Sequence, residues 1–223
     1  MPYRTTGLTL CAMMGLVLSP DVFGENLMPN PGAEEVTEAK HEKPPADPRV
    51  TTADWIPAKG WGCSNSSGCC EWGVTEENPH RGKYCASLKV VKLNDKGGIT
   101  VELCLGGKSD GMTGQDAIPT APNTSYYFSL WLRGNAPLAH IKWLGWTDDA
   151  GAPKNREWKT TAFKSGVIPT AEWKRYEGSL TTTEKTKKFA LRIQIPSNCG
   201  AQPGQSVCVD DVEIIPFAEK FAP

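Results

Sequence analysis

The sequence has no surplus of charge in either sign. Its 24 Lys and Arg balance 25 Asp and Glu over 223 residues, a formal net charge of -1. A nucleic-acid binder shows a basic excess or stripe, so that class of partner is excluded. A membrane-crossing run is missing too, because the apolar stretch from Gly7 to Leu18 falls short of the ~20 residues that a ~30 Å hydrocarbon core requires, and no other segment comes close. Helical periodicity of useful length is absent between residues 82 and 216. Histidine is scarce: His41, His80 and His140 are all there are, and they form no Ser-His-Asp or Cys-His pattern.

What is present begins with an export signal. Arg4 supplies the positive end, Gly7 to Leu18 the apolar run, and Val22-Phe23-Gly24 a small-residue cleavage site. Residues 1–24 are therefore expected to be removed, leaving residues 25–223 as one exported domain, extracellular or periplasmic. Export changes the meaning of the cysteines. Cys11 leaves with the signal, and Cys63, Cys69, Cys70, Cys85, Cys104, Cys199 and Cys208 remain. In an oxidising compartment they read as disulfides first. Their number is odd, and spacing does not fix connectivity. Cys63, Cys69 and Cys70 have no Cys-x-x-Cys partner and no nearby His, which argues against zinc. Cys199 and Cys208 flank a loop between the last two strands and are expected to pair, with Cys85 and Cys104 competing from neighbouring strands.

Strand signals carry the fold. Ser125 to Arg133 alternates without a break: Tyr126, Phe128, Leu130 and Leu132 on one parity, Tyr127, Ser129, Trp131 and Arg133 on the other. Successive side chains of a strand point to opposite faces, so the first set belongs in a core and the second on a face that water or a ligand reaches. Similar runs occur at Tyr84 to Leu93, Ile99 to Leu105, Ala139 to Trp146, Trp158 to Phe163, Glu172 to Leu180, Phe189 to Ile195 and Val207 to Ile214. Turn chemistry separates them, as at residues 94–98 and 147–151. Residues 36–54 are charged and hold three prolines, which predicts a loop. Gly62 to Gly73, with Ser, Asn, Gly and three cysteines, reads as a loop held by a disulfide. Eight or so short strands of this kind predict an all-β, antiparallel β-sandwich.

Six short motifs in order resemble one family. Asn30-Pro31-Gly32-Ala33-Glu34, Pro57 to Trp61, His80 to Val90, Tyr126 to Arg133, Glu172-Trp173-Lys174-Arg175-Tyr176 and Val209 to Ile214 are similar to motifs of carbohydrate-binding modules of the galactose-binding-like jelly-roll type, particularly families four, nine and twenty-two. Ala33 departs from the usual Phe, and residues 36–54 and the cysteine loop lie outside the pattern. The resemblance implies a jelly roll, a glycan or polysaccharide as partner, and a structural calcium clamped by Glu34 and an Asp of Asp210-Asp211.

Strand parity then nominates the binding face. Tyr127, Trp131, Arg133, Lys142, Trp146, Arg192 and Gln194 point outward on their strands and are expected to line one exposed sheet face. Sugars offer C–H faces that stack on aromatic rings and hydroxyls that need donors and acceptors, and this set supplies both. A glycosidase of this architecture needs two carboxylates at a defined separation, and the outward parities carry only Glu102 and Glu177, unpaired. The sequence therefore predicts binding without catalysis. A disulfide-stabilised protein-interaction domain of the cell envelope and a jelly-roll lyase or hydrolase are the rival readings.

Overall fold

The computed structural model describes residues 25–36, 58–65, 70–93, 101–105, 117–138, 140–160, 167–195 and 200–221. The expected export signal, most of the 36–54 stretch, and Cys69 and Cys199 lie outside these residues. The described strands, in chain order, are β1 (Trp61–Asn65), β2 (Cys70–Thr75), β3 (Cys85–Val90), β4 (Val101–Leu105), β5 (Ile118–Pro119), β6 (Ser125–Gly134), β7 (His140–Trp146), β8 (Arg156–Thr160), β9 (Lys174–Thr181), β10 (Lys188–Ile195) and β11 (Ser206–Pro216). One four-residue helix, α1 (Phe217–Lys220), follows β11.

Two antiparallel sheets face each other. The first runs β1-β4-β10-β7-β8, with β5 also paired to β10, and the second runs β2-β3-β11-β6-β9. Phe128, Leu130, Leu132, Val207, Val209 and Ile214 from the second sheet meet Leu103, Ile141, Trp143, Phe189, Leu191 and Ile193 from the first in one continuous core. The Tyr126 and Phe189 rings touch across the layers, with centroids 4.9 Å apart. The alternation of β6 is realised as its sequence predicts: Phe128, Leu130 and Leu132 are fully buried. The antiparallel β-sandwich therefore stands.

Residues 62–73 differ from expectation. Instead of one loop they contribute β1 and most of β2, which pair with β4 and β3 respectively. Their Gly, Ser and Asn content reads as turn chemistry, yet Trp61, Cys63, Cys70 and Trp72 alternate and bury themselves in the core. Packing against neighbouring strands overrides local composition here.

Two irregularities shape the end of the second sheet. The register between β11 and β6 shifts between Asp210, opposite Trp131, and Glu213, opposite Ser129. One extra residue bulges there, and Asp211 takes φ +45°, a left-handed conformation that Asp tolerates better than most residues. The N-terminal segment is stitched onto this bulge. Leu27 N–H donates to the Ile214 carbonyl at 2.8 Å, Val212 N–H to the Pro31 carbonyl at 2.9 Å, and Ile214 N–H to Asn26 Oδ1 at 2.9 Å.

Candidate functional site

The outward face of the second sheet carries Tyr127, Ser129, Trp131 and Arg133 from β6. Opposite them stand Ser179, Glu177 and Arg175 from β9, in register with Tyr127, Ser129 and Trp131. Trp131 is half-buried, and the His80 ring lies on it, centroids 3.9 Å apart and planes 20° apart. Trp173 meets His80 edge-on at 5.8 Å and donates its indole N–H to the Asn78 carbonyl at 3.0 Å. The Arg133 guanidinium packs 5.4 Å over Trp173 and donates to the Glu77 carbonyl at 2.7 Å. Three rings and a guanidinium thus bind residues 77–80 to the sheet.

At the other end of β6 the face is closed. Tyr127 is 7% exposed, with Phe221 edge-on against it and the Lys220 ammonium 4.9 Å from its ring. Its hydroxyl donates to Glu177 at 2.7 Å and accepts from Arg175 at 3.0 Å. Burial, followed by the bond to Glu177, raises the Tyr127 phenol above its ordinary range. Tyr127 is a satisfied structural residue rather than an open platform.

Between these ends lies a cleft of about 360 Å³, lined chiefly by Asn26, Arg81, Ser129, Trp131, Arg175, Asp211 and Glu213. Its charges are cross-braced. Arg175 donates to Ser129 Oγ at 3.1 Å and lies 3.6 Å from Glu213. Lys220 holds both oxygens of Glu213 at 3.0 Å. Asp211 meets His80 Nδ1 at 2.6 Å and Arg81 Nε at 3.5 Å.

Of the seven residues expected on one face, the structure brings together only Tyr127, Trp131 and Arg133. The single face is corrected: Lys142 and Trp146 lie on β7, Arg192 and Gln194 on β10, all in the first sheet, on the far side of the core. Lys142 donates to Gln194 Oε1 at 3.1 Å. Arg192 is 1% exposed and Trp146 fully buried, the latter clustered with Ala117, Leu144 and Ala190. The expectation that these two side chains lie open on a sheet face is corrected as well.

The acids expected to clamp calcium do converge. A Cβ built on Gly32 would meet atoms of Glu34, Asp210 and Asp211 within 4 Å. Their oxygens, however, are turned to N–H donors. Glu34 accepts from the amides of Lys83 and Tyr84 at 2.9–3.1 Å. Asp210 accepts from the amides of His80 at 2.9 Å, Arg81 at 3.2 Å and Asp211 at 2.8 Å. Calcium takes six to eight oxygen ligands, and among the described residues no three His, Cys, Asp or Glu side chains are arranged to hold a metal. In this arrangement Glu34 and Asp210 clamp the 80–84 turn through its amides. Gly82 is part of the clamp: its φ is +66°, and a Cβ there would stand 2.0 Å from Glu34 Oε1. Asp210 is fully buried, and burial pushes its carboxyl up to about 6 against the opposing pull of the Arg81, Asp211 and His80 amides.

The expected Cys199–Cys208 pairing falls outside the described residues, because Cys199 does. Cys85 and Cys208 are thiols, and they face each other.

Sequence reasoning missed His80, Arg81, Trp173, Arg175 and Glu213. Parity on β9 puts Arg175 beside Glu177, and pairing β9 with β6 would have found it. His80 and Arg81 sit on a turn, where no periodicity points.

No family model matches the chain, and no curated protein matches it. Solved structures do. An α-L-arabinofuranosidase, MgGH51, aligns at TM-score 0.53 and 14% identity over 88% of this chain and 27% of the enzyme. The enzymatically active domain of bacteriophage CBA120 tailspike protein 4 aligns at 0.50 and 9% identity, over 71% of this chain and 20% of the other. The chain thus spans about a quarter or less of either protein. The carbohydrate-binding module TmCBM61, crystallised with β-1,4-galactotriose, is of matching length: TM-score 0.45, 16% identity, 86% of this chain and 99% of the module. At these identities the likeness is one of fold.

Proposed function

We propose that the chain is an exported carbohydrate-binding domain that holds a saccharide in the Trp131 cleft without catalysing its breakdown. One observation carries the reading: an open cleft of about 360 Å³ in which an indole, two guanidiniums, an amide and two carboxylates converge. A cleft of that size suits a small ligand. Apolar ring surface beside bidentate donors and acceptors is what a sugar's C–H face and hydroxyls require. The bracing of the two acids supports binding without chemistry. Asp211 is held by His80 and Arg81, and Glu213 by Lys220 and Arg175. Both carboxylates are thus already engaged as partners of the protein's own side chains.

The test is affinity electrophoresis of the purified chain against soluble polysaccharides, including xylan, galactan and arabinan. We expect at least one to retard the parent. Arg81→Ala and Trp131→Ala should weaken that retardation, the latter by about 1–3 kcal/mol as for other aromatic stacking platforms. Arg81 is 77% exposed, so its removal should leave melting nearly unchanged. A parent that ignores every glycan, or a folded pair of variants that bind as tightly as the parent, overturns the proposal.

A further inference from the structure

Cys85 and Cys208 lie on the outward face of the second sheet, where β3 and β11 run antiparallel. The register places Cys208 opposite Ser87 and Val209 opposite Ala86, so Cys85 is the diagonal neighbour of Cys208 on the same face. Diagonal partners of that kind are neighbours on one face, and here the Cys85 thiol makes a hydrogen bond with the Cys208 sulfur. Cys85 is fully buried and Cys208 is 7% exposed. Arg133 closes the site, its Nη2 standing 3.7 Å from Cys208 Sγ. Two thiols in contact, on strands far apart in sequence and capped by a cation, exceed what packing alone asks of cysteine.

We propose that Cys85 and Cys208 are an oxidisable pair that closes to a cross-strand disulfide when the chain matures in the presence of a disulfide oxidant. The Cys208 thiolate attacks one sulfur of the oxidant disulfide, and the other half departs as a thiolate. The Cys85 thiol then gives up its proton and attacks Cys208 Sγ in the mixed disulfide, expelling the second thiolate. Two thiols become one disulfide, and two electrons and two protons pass to the oxidant. The sulfurs are enclosed in the finished sheet, so the exchange belongs to folding, before Arg133 closes over them. The product staples β3 to β11 beside Asp210 and the turn that supports Trp131.

The test refolds the reduced full chain with glutathione disulfide, blocks remaining thiols and maps tryptic peptides without reduction. Trypsin releases Cys85 in residues 84–89, and Cys199 together with Cys208 in residues 193–220. The two peptides should be found linked in the parent and in Cys199→Ser, and the link should vanish in Cys208→Ser and Cys85→Ser. Fragmentation of the parent's linked species must place the bridge on Cys208, which decides the matter even if a variant fails to fold. Oxidation should also raise the melting temperature, by on the order of 5 °C. Recovery of residues 84–89 carrying a blocked thiol, or a bridge from Cys85 to any other cysteine, overturns the proposal.

Discussion

Neighbouring side chains on β6 have opposite fates, and single substitutions separate them. Phe128 is fully buried, and its ring lies directly over Gly178, where a Cβ would sit 2.9 Å from ring carbon Cζ. Phe128→Ala should cost about 3–5 kcal/mol through the cavity left behind, read as a large drop in denaturant midpoint. Trp131→Ala, three residues on, at a half-buried position, should cost less; its His80 stack is an aromatic pair worth about 0.5–1.5 kcal/mol. A Phe128→Ala protein as stable as the parent would contradict the core assignment of this strand. Asp210 makes the second residue-scale claim. Its folded value near 6 stands above the ordinary ~3.9, so between those limits the native state holds more protons than the unfolded chain. Stability from this group is therefore present in acid and lost as pH rises through about 6. His80, Arg81 and Asp211 face it as well, so the comparison must isolate Asp210. Melting of parent and Asp210→Asn at pH 5 and pH 7 should show the parent's relative stability greater at pH 5. A pH-independent difference between the two proteins would refute the assignment.

At the scale of elements, β11 is the hub. It pairs with β3 on one side and β6 on the other, and its bulge receives the N-terminal segment. Glu34 and Asp210 there use amide hydrogens of the 80–84 turn as counter-groups, and Asp211 uses the His80 and Arg81 side chains. Excess chelator should accordingly leave the melting curve unchanged, whereas a drop of several degrees would show that a metal displaces those amides. Legibility in the sequence divides along the same elements. The inward and outward sets of β6, β7 and β10 were readable, because a period of two is a local property of the chain. β1 and β2 were hidden: their turn-like Gly, Ser and Asn become strand only when Trp61 and Trp72 find the core.

At the scale of the whole molecule, the reason for the divided site is topological. Assembling Trp131 with Lys142, Trp146, Arg192 and Gln194 assumes that strands successive in sequence share a sheet. In this sandwich the chain crosses from one layer to the other between β6 and β7, and β6 takes β9 and β11 as its neighbours. Sheet membership depends on partners many tens of residues away, as when Ser129 reaches Glu213, 84 positions on. No local pattern encodes that choice. The partners that complete the cleft, Arg81 and Arg175, come from separate segments for the same reason.

The stitching of residues 26–31 onto β11 has a mechanical consequence. Asn26 and Val212 line the cleft, and the bonds that fasten them are few and lie side by side. Tension applied between residue 25 and residue 216 would load this corner in peeling geometry, breaking one bond at a time, while both sheets remained unloaded. The first thing to yield would be a wall of the cleft. A domain tethered through these positions would open the cleft under strain before it began to unfold.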